Sequence, residues 1–306
     1  MQVHSPLTGS TNIVLEKEIQ CSFIIDGYRK HLDFDVTRYF HNLESIQIYR
    51  CLDTGFKFYY PFDMDGDSEF YQVLQKQSWY YMDWKWEHEV ASTLIRPADK
   101  VLEIGCARGG FLERIKQKGI KCIGLELNES ALECSRARGL EVSNQSIEDH
   151  AKENQGQYDV VCSFQVVEHI VAIKEFMQAS IDALKQGGKL IVSVPNNDSL
   201  IFKCNPDIVI NMPPHHMGLW DMNSLIKIQR YFNLRIEAIH LEPLQAYHVG
   251  YALSLAQEKL SHGLRNRYRF MAFPLQRFSS KYIDFTVRSL TEYINGHTVM
   301  AIYTKV

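Results

Sequence analysis

The sequence predicts an α/β protein built on a doubly wound, mostly parallel sheet, preceded by a small β-rich module. Three observations carry that prediction. From Lys100 onward, short apolar runs alternate with helical patterns, as a sheet covered on both faces requires. The first run, Val101-Leu102-Glu103-Ile104, enters the glycine-crowded turn Gly105-Cys106-Ala107-Arg108-Gly109-Gly110, and Phe111 to Ile115 then begins a helical pattern. The second run, from Lys121 to Leu125, ends in Glu126, an acid about 20 residues beyond the turn. A strand, a tight turn and a helix N-terminus bring backbone N–H groups close to a nucleotide-like ligand. A carboxylate at the end of the next strand can accept both hydroxyls of a ribose. The Gly-x-Gly-x-x-Gly spacing of dinucleotide binders is absent.

The chain has 306 residues, 45% hydrophobic and 23% charged, enough for one large domain or two modest ones. A formal charge of −3 supplies no global attraction to nucleic acid or to an anionic membrane. The seven cysteines form no Cys-x-x-Cys pair and read as reduced thiols of an intracellular protein. No signal-peptide pattern follows Met1, and no apolar run nears about 18 residues. A cytoplasmic location without a membrane span is therefore expected.

Residues 1–75 read as a separate module. Ser5-Pro6-Leu7-Thr8-Gly9 and Cys51-Leu52-Asp53-Thr54-Gly55 share one spacing, and the second runs into the aromatic stretch Phe56 to Tyr60. The acids Asp63, Asp65, Asp67 and Glu69 surround Gly66 in the wrong order for a calcium loop, so a solvated acidic turn is expected. Residues 76–306 form the main domain. Gln75 to Ile95 reads as one long aromatic-rich helix ended by Pro97. After the two strands above, a third begins at Glu141-Val142 and is followed by Ser146-Ile147-Glu148. Tyr158 to Phe164 is the fourth strand, with Gln165, Glu168 and His169 at its carboxyl end, where ligands of open α/β sheets sit. The turn Gly187-Gly188 leads into the fifth.

Met212-Pro213-Pro214-His215-His216-Met217-Gly218-Leu219-Trp220 comes next, with Asp221 and Ser224 as caps of a short helix. Two prolines stiffen this loop, and adjacent histidines are poor core material. Neutral imidazole is a natural base near pH 7, so the pair reads as functional against the alternative of a plain surface loop. Phe232 to His240 and His297 to Lys305 read as the last two strands. An insert of about residues 244–296 separates them, with helical stretches at Tyr251–Leu260 and Lys281–Ile294. In it Arg265, Arg267, Arg269 and Arg277 interleave with Tyr268, Phe270, Phe273 and Phe278. Such a lid suits nucleic acid, a phosphate or sugar acid, or plain solvent.

Glu103 to Gly109 resembles the first motif of class I S-adenosylmethionine-dependent methyltransferases, acid-x-Gly-x-Gly-x-Gly, with Ala107 replacing the middle glycine. Gln165 to His169 resembles their fourth motif, often Glu-Val-Leu-Glu-His, with Gln165 replacing the first acid. Leu184 to Gly188 resembles their Leu-Lys-Pro-Gly-Gly turn, and the Pro-Pro-His-His-x-x-x-Trp loop is similar to one that glycan-related members carry over the methyl donor. Together these matches cover roughly residues 76–240. The resemblance implies a Rossmann-like sheet of seven strands and S-adenosyl-L-methionine as cofactor. It implies cofactor contacts at Glu103, Gly105, Cys106, Ala107, Gly109, Glu126, Leu127 and Gln165, with adenine at Ile147 and Glu148. Tyr80 or Tyr81 either closes over the methionine end or packs in the core; Tyr81 is the residue we assign. The insert departs from the hairpin usual at that place. Residues 1–75 resemble a zinc ribbon with two Cys-x-x-Cys-Gly knuckles in which Ser5, Thr8 and Thr54 replace three of the four ligands, so no metal is expected.

The expected reaction is in-line methyl transfer to an oxygen of a small molecule, such as a sugar or secondary metabolite, in preference to nitrogen or carbon. His169, His215 or His216 would be the base. One alternative is metal-dependent RNA methylation. Small-RNA 3′-terminal methyltransferases bind a divalent metal through a Glu-x-x-Glu-His motif and a later histidine, in places held here by Gln165, Glu168, His169 and His216. Gln165 and the net charge count against it. The other is a non-catalytic scaffold, against which the intact Glu103, Gly105, Gly109 and Glu126 count. Nothing in the sequence sets an oligomeric state.

Overall fold

Among the described residues two sheets organise the chain, one of four strands and one of seven. The computed structural model describes residues 2–77, 79–267, 285 and 289–306. The first sheet starts with β1 (Ile13–Gln20), followed by helix α1 (Cys21–Leu32), then β2 (Ser45–Cys51) and β3 (Lys57–Tyr60), paired antiparallel in sequence order. The expectation of a β-rich segment thus missed a twelve-residue helix. It forms because Cys21, Ile24 and Tyr28 recur at helical spacing and bury one face against the sheet. Helix α2 (Ser68–Leu74) follows, capped by Asp67, whose carboxylate accepts the Phe70 amide at 3.1 Å. Arg38 pairs with Asp67 and Glu69 at 2.8 and 2.7 Å, so the acidic turn is a helix cap and ion-pair site rather than a merely solvated loop.

Helix α3 (Trp86–Leu94) leads into the second sheet. Its elements are β4 (Lys100–Ile104), α4 (Gly110–Gln117), β5 (Lys121–Leu125), α5 (Glu129–Ala137), β6 (Val142–Ser143) and α6 (Ile147–Glu153). There follow β7 (Tyr158–Phe164), α7 (Ile173–Ala183), β8 (Leu184–Pro195) and α8 (Leu200–Cys204). After β9 (Gly218–Leu219) come α9 (Met222–Ile228), β10 (Leu234–Pro243), α10 (Ala246–Arg267) and β11 (Asn295–Lys305). Strand order is β10-β11-β8-β7-β4-β5-β6, with β6, β5, β4, β7 and β8 parallel and β11 antiparallel to both neighbours. This is the Rossmann-like seven-stranded sheet. Its central strands are apolar on both faces because helices cover both: Val101, Leu102, Val160, Val161, Leu190 and Ile191 are all buried. The chain winds outward from β4 to β6 and returns at β7, so a crevice opens between the carboxyl ends of β4 and β7.

Three expectations need correction. Of the long helix expected over 75–95 only α3, Trp86–Leu94, is present: α2 ends at Leu74, and the described residues between the two helices are turns and irregular backbone. Helical period gives way there because Tyr80 and Tyr81 pack on each other, with ring centres 4.9 Å apart, and line the crevice. The Asp83 carbonyl also lies so close to α4 that a Cβ on Gly110 would stand 2.3 Å from it. Second, the outer strands extend beyond their expected ends, at Pro243 in β10 and Asn295 in β11. Third, β9 pairs with β3, so the histidine loop contributes a strand to the N-terminal sheet. Helix α10 includes the expected stretch 251–260; Tyr268, Arg269, Phe270, Phe273, Arg277, Phe278 and Lys281 lie outside the described residues.

Candidate functional site

A cavity of about 1760 Å³ opens at the β4/β7 crevice. Pockets for one small ligand measure roughly 300–1,000 Å³, so two ligands fit side by side. One half is lined by the turn after β4, Glu126, Ile147, Glu148, Phe164 and Gln165. The other half is lined by Tyr80, Lys85, Glu168, His169, His215 and His216.

The turn half is built by backbone geometry. Gly105 has a φ of +73°, and a Cβ there would stand 2.4 Å from Val166 Cγ2, so glycine is required. The Gly105 and Cys106 amides both donate to the Leu125 carbonyl, at 2.8 and 3.0 Å. Ala107 sits in the left-handed region at φ +46°, and its amide donates to Glu126 Oε2 at 2.8 Å. The Asn128 amide donates to Glu126 Oε1, also at 2.8 Å. Burial raises the Glu126 carboxyl above its ordinary range, opposed by the amides of Asn128, Ala107 and Leu127. Glu103 is pushed up by burial and then by the Glu126 charge, and its Oε2 is buried without a partner. Gln165, at φ +55°, also carries a buried, unpartnered Nε2. Ile147 is buried at the start of α6, and Leu127 stands exposed at the cavity mouth. Arg108 lies 5.4 Å over the Tyr81 ring. Cys106 is buried with its sulfur toward Gly124, where a Cβ would come within 2.5 Å of it. Gly109 does not line the cavity. It precedes α4 at φ +79° and faces Leu140, which a Cβ would meet at 2.2 Å.

On the other half, three histidines converge. Ring centres of His215 and His216 are 4.2 Å apart, and the His169 ring is 4.7 and 5.0 Å from them. Each Nδ1 faces a carbonyl oxygen: His169 that of His215 at 2.5 Å, His215 that of Ile210 at 2.8 Å, and His216 the Asn211 side-chain Oδ1 at 2.8 Å. The Asn211 amide group is itself oriented. Its Nδ2 donates to Asn197 Oδ1 at 2.8 Å, while Asn197 Nδ2 donates to the Trp220 carbonyl at 3.0 Å. Each Nδ1 is therefore the protonated nitrogen, and each Nε2 keeps its lone pair. His215 Nε2 is buried without a partner. Burial lowers His169 to about 4, and lowers His215 and His216 well below the ordinary histidine range, with the neighbouring histidines adding to the effect. The same burial raises Glu168 to about 8. One ligand nitrogen from each histidine lies within 4.8 Å of the others, an arrangement that can hold a divalent cation with an open position.

The sequence profile of a family described as a methyltransferase domain matches residues 78–248, more than half of the chain. The chain belongs to the class I S-adenosylmethionine-dependent methyltransferases. Its cofactor is S-adenosyl-L-methionine. The methyltransferase is 26% identical over 196 residues to a ubiquinone biosynthesis O-methyltransferase of Erwinia tasmaniensis, covering 61% of this chain and 75% of that one. The protein of the same description from Vibrio parahaemolyticus is 32% identical over 105 residues, 32% of this chain and 45% of its own length. The match to the Cronobacter sakazakii relative spans 56% of that protein. A solved S-adenosylmethionine-dependent methyltransferase from Archaeoglobus fulgidus overlays with a TM-score of 0.48 at 20% identity, over 71% of this chain and 94% of that one.

Sequence reasoning missed part of this methyltransferase's cavity wall. Lys85, Glu87 and His88 line it from the start of α3, and Tyr247, His248 and His297 close it. Tyr247 donates to Glu242 Oε1 at 3.1 Å and the Thr298 amide to Oε2 at 2.9 Å, tying α10 to β11. A signal existed for the first group, since Lys85-Trp86-Glu87-His88 places two ionisable side chains among the buried positions of a helix. His297 had none. It reaches the site because β11 runs antiparallel, which brings its first residues to the carboxyl edge of the parallel strands. In the N-terminal segment, Thr8 Oγ1 lies 3.8 Å from the Cys51 sulfur, and the Thr54 hydroxyl hydrogen-bonds to the same thiol.

Proposed function

We propose that this methyltransferase methylates an oxygen of a small hydroxylated molecule, such as a sugar or other secondary metabolite, in the cytoplasm. The observation that carries the reading is His215 Nε2, a lone pair buried without a partner among the described residues, in a cavity wide enough for cofactor and acceptor. The relatives described as O-methyltransferases support oxygen as the acceptor atom. Among the described residues no helix is long and apolar enough to cross a membrane.

S-adenosylmethionine supplies a methyl group already activated on a sulfonium. The buried, unpartnered Glu103 Oε2 and Gln165 Nε2 are groups of the kind a polar ligand satisfies, so the residues of the turn half fit that cofactor. Glu126 would take the ribose hydroxyls, Ile147 and Glu148 the adenine, and Tyr81 the methionine end; Gly105, Cys106, Ala107 and Leu127 form the backbone wall, with Gly109 supporting it. The acceptor hydroxyl lies at the histidine face, where His215, His216 or His169 takes its proton. Alignment and base supply the rate. Replacing His215 and His216 singly by Ala tests this: turnover should fall in at least one variant with cofactor affinity unchanged.

A second reading is favoured by the convergence of one ring nitrogen from each of the three histidines. A divalent cation held there would acidify the acceptor hydroxyl, and the histidines would be ligands instead of bases. A requirement for added Mg²⁺, Mn²⁺ or Zn²⁺ would select it. RNA as acceptor gains nothing from the cluster alone, given the formal charge of −3. A calorimetric titration showing no binding of S-adenosylmethionine would favour the scaffold reading, which is a fold that has lost its cofactor.

A further inference from the structure

The loop that carries His215 and His216 is anchored by residues of the N-terminal segment, which sequence reasoning treated as a separate module. Tyr28 Oη donates to the Met212 carbonyl at 3.1 Å. That same carbonyl accepts the amides of His215 and His216, at 3.1 and 3.2 Å, so it is the hub of the turn that presents both rings. Tyr59 Oη donates to the Asn211 carbonyl at 3.0 Å, and Asn211 is the residue whose side chain orients His216. The Tyr59 amide donates to the Met217 carbonyl at 3.0 Å, just past the histidines, and the Gly66 amide to the Pro214 carbonyl at 2.8 Å, just before them. Pairing of Phe58 with Gly218 completes the clamp. Tyr28 and Tyr59 are both buried, so no water can replace their phenols without rearrangement.

From this geometry we propose that Tyr28 and Tyr59 are positioning residues for catalysis: through the Met212 and Asn211 carbonyls they set the direction and tautomer of His215 and His216. The N-terminal segment is then a jig for the catalytic loop, and its use no longer depends on a metal knuckle. The inference rests on the reading that the histidine face serves the acceptor, although the tautomer can be observed without any acceptor. Without the phenols the Met212 carbonyl keeps only the two loop amides and the Asn211 carbonyl loses its Tyr59 donor, so the loop is freer to shift, and a small displacement of a reacting group is enough to cost about 10–100-fold in rate.

Tyr28→Phe and Tyr59→Phe delete only the hydroxyls. Tyr303→Phe is the control, because Tyr303 is equally buried and its phenol donates at 2.7 Å to the Leu225 carbonyl of α9, joining that helix to β11 rather than holding the histidine turn. Long-range proton–nitrogen spectra of ring-labelled protein, assigned with His215→Gln and His216→Gln, report which nitrogen carries each proton. The wild type and Tyr303→Phe should show single Nδ1-protonated rings. Tyr28→Phe or Tyr59→Phe should show mixed tautomers and a kcat lower by about 10–100-fold, with calorimetric affinity for S-adenosylmethionine unchanged. If one of the two variants does not fold, the other answers the same question. Unchanged ring signals in the loop variants, with only the stability loss seen in Tyr303→Phe, would overturn the proposal. Normal turnover in both His215→Ala and His216→Ala would instead remove the functional reading, a failure visible apart from the spectra.

Discussion

Glu126 accepts the Ala107 amide at 2.8 Å, across the turn that joins β4 to α4. The acid at the end of β5 therefore shapes the cofactor turn in addition to facing the cavity. Its two oxygens each hold one backbone amide, which leaves a lone pair on each for a ligand hydroxyl. Glu126→Ala should weaken S-adenosylmethionine binding by roughly 1.5–3 kcal/mol, the scale of a charge-assisted hydrogen bond. Equal calorimetric affinity for wild type and variant would sink the ribose assignment.

Ala107 occupies a left-handed conformation, φ +46°, that costs an L-residue about 1–2 kcal/mol. Glycine would relieve that cost and lose about 0.4–1 kcal/mol through its freer unfolded chain. Ala107→Gly should thus be stabilising by about 0.5–1 kcal/mol, with cofactor affinity retained. A urea midpoint lower than the wild type would show that the Ala107 methyl makes a contact worth more than the backbone strain.

The neutral histidine face should make the enzyme acid-sensitive in a defined window. His169 is lowered by burial to about 4 in the fold, against about 6.5 unfolded, so between those values the unfolded chain binds more protons. Its contribution to stability is complete above about pH 6.5 and is lost as pH falls toward 4, amounting to about 2 kcal/mol between pH 7 and 5. Glu168, raised by burial to about 8, acts in the opposite sense as pH rises from about 4.5 to 8. Comparison of wild type with His169→Gln isolates the histidine part. The variant should lose that acid-side slope in urea titrations at pH 5 and 7, and an unaltered slope would contradict the burial argument.

Metal binding discriminates between the two readings of the histidine face. If the histidines are bases, cobalt(II) added to chelator-treated protein should give no visible bands of a four-coordinate site; if they are ligands, it should bind near one equivalent with those bands, and His215→Ala should abolish them. Cys51→Ser should leave them unchanged, because Cys51 is hydrogen-bonded to Thr8 and Thr54 in place of thiolate neighbours. Chelation should likewise leave the melting temperature unaltered. Zinc lost together with stability in Cys51→Ser would place a structural metal at the N-terminal knuckle instead.

Much of the methyltransferase sheet was legible because its signals are local. Val101 to Glu103 leading into Gly105, the acid Glu126, and the caps Asp221 and Ser224 each act within a few residues of themselves, and all appear in the structure where spacing placed them. Periodicity also marked β7 and β8, since strands buried on both faces read as continuous apolar runs. The pairing of His215 with His216 was visible as a motif, but their meeting with His169 was decided by the fold. Only tertiary structure turned residues 75–77 and 79–85 out of a helix, because packing Tyr80 and Tyr81 against the cavity outweighs a propensity that is weak for any short segment. It also brought His297 to the site by inserting β11 antiparallel between β8 and β10, and laid Tyr28 and Tyr59 under a loop more than 150 residues away in sequence. A hydrogen bond between a phenol and a distant carbonyl leaves no periodicity in either segment. It depends on the pairing of β9 with β3, which seats the loop on the N-terminal sheet.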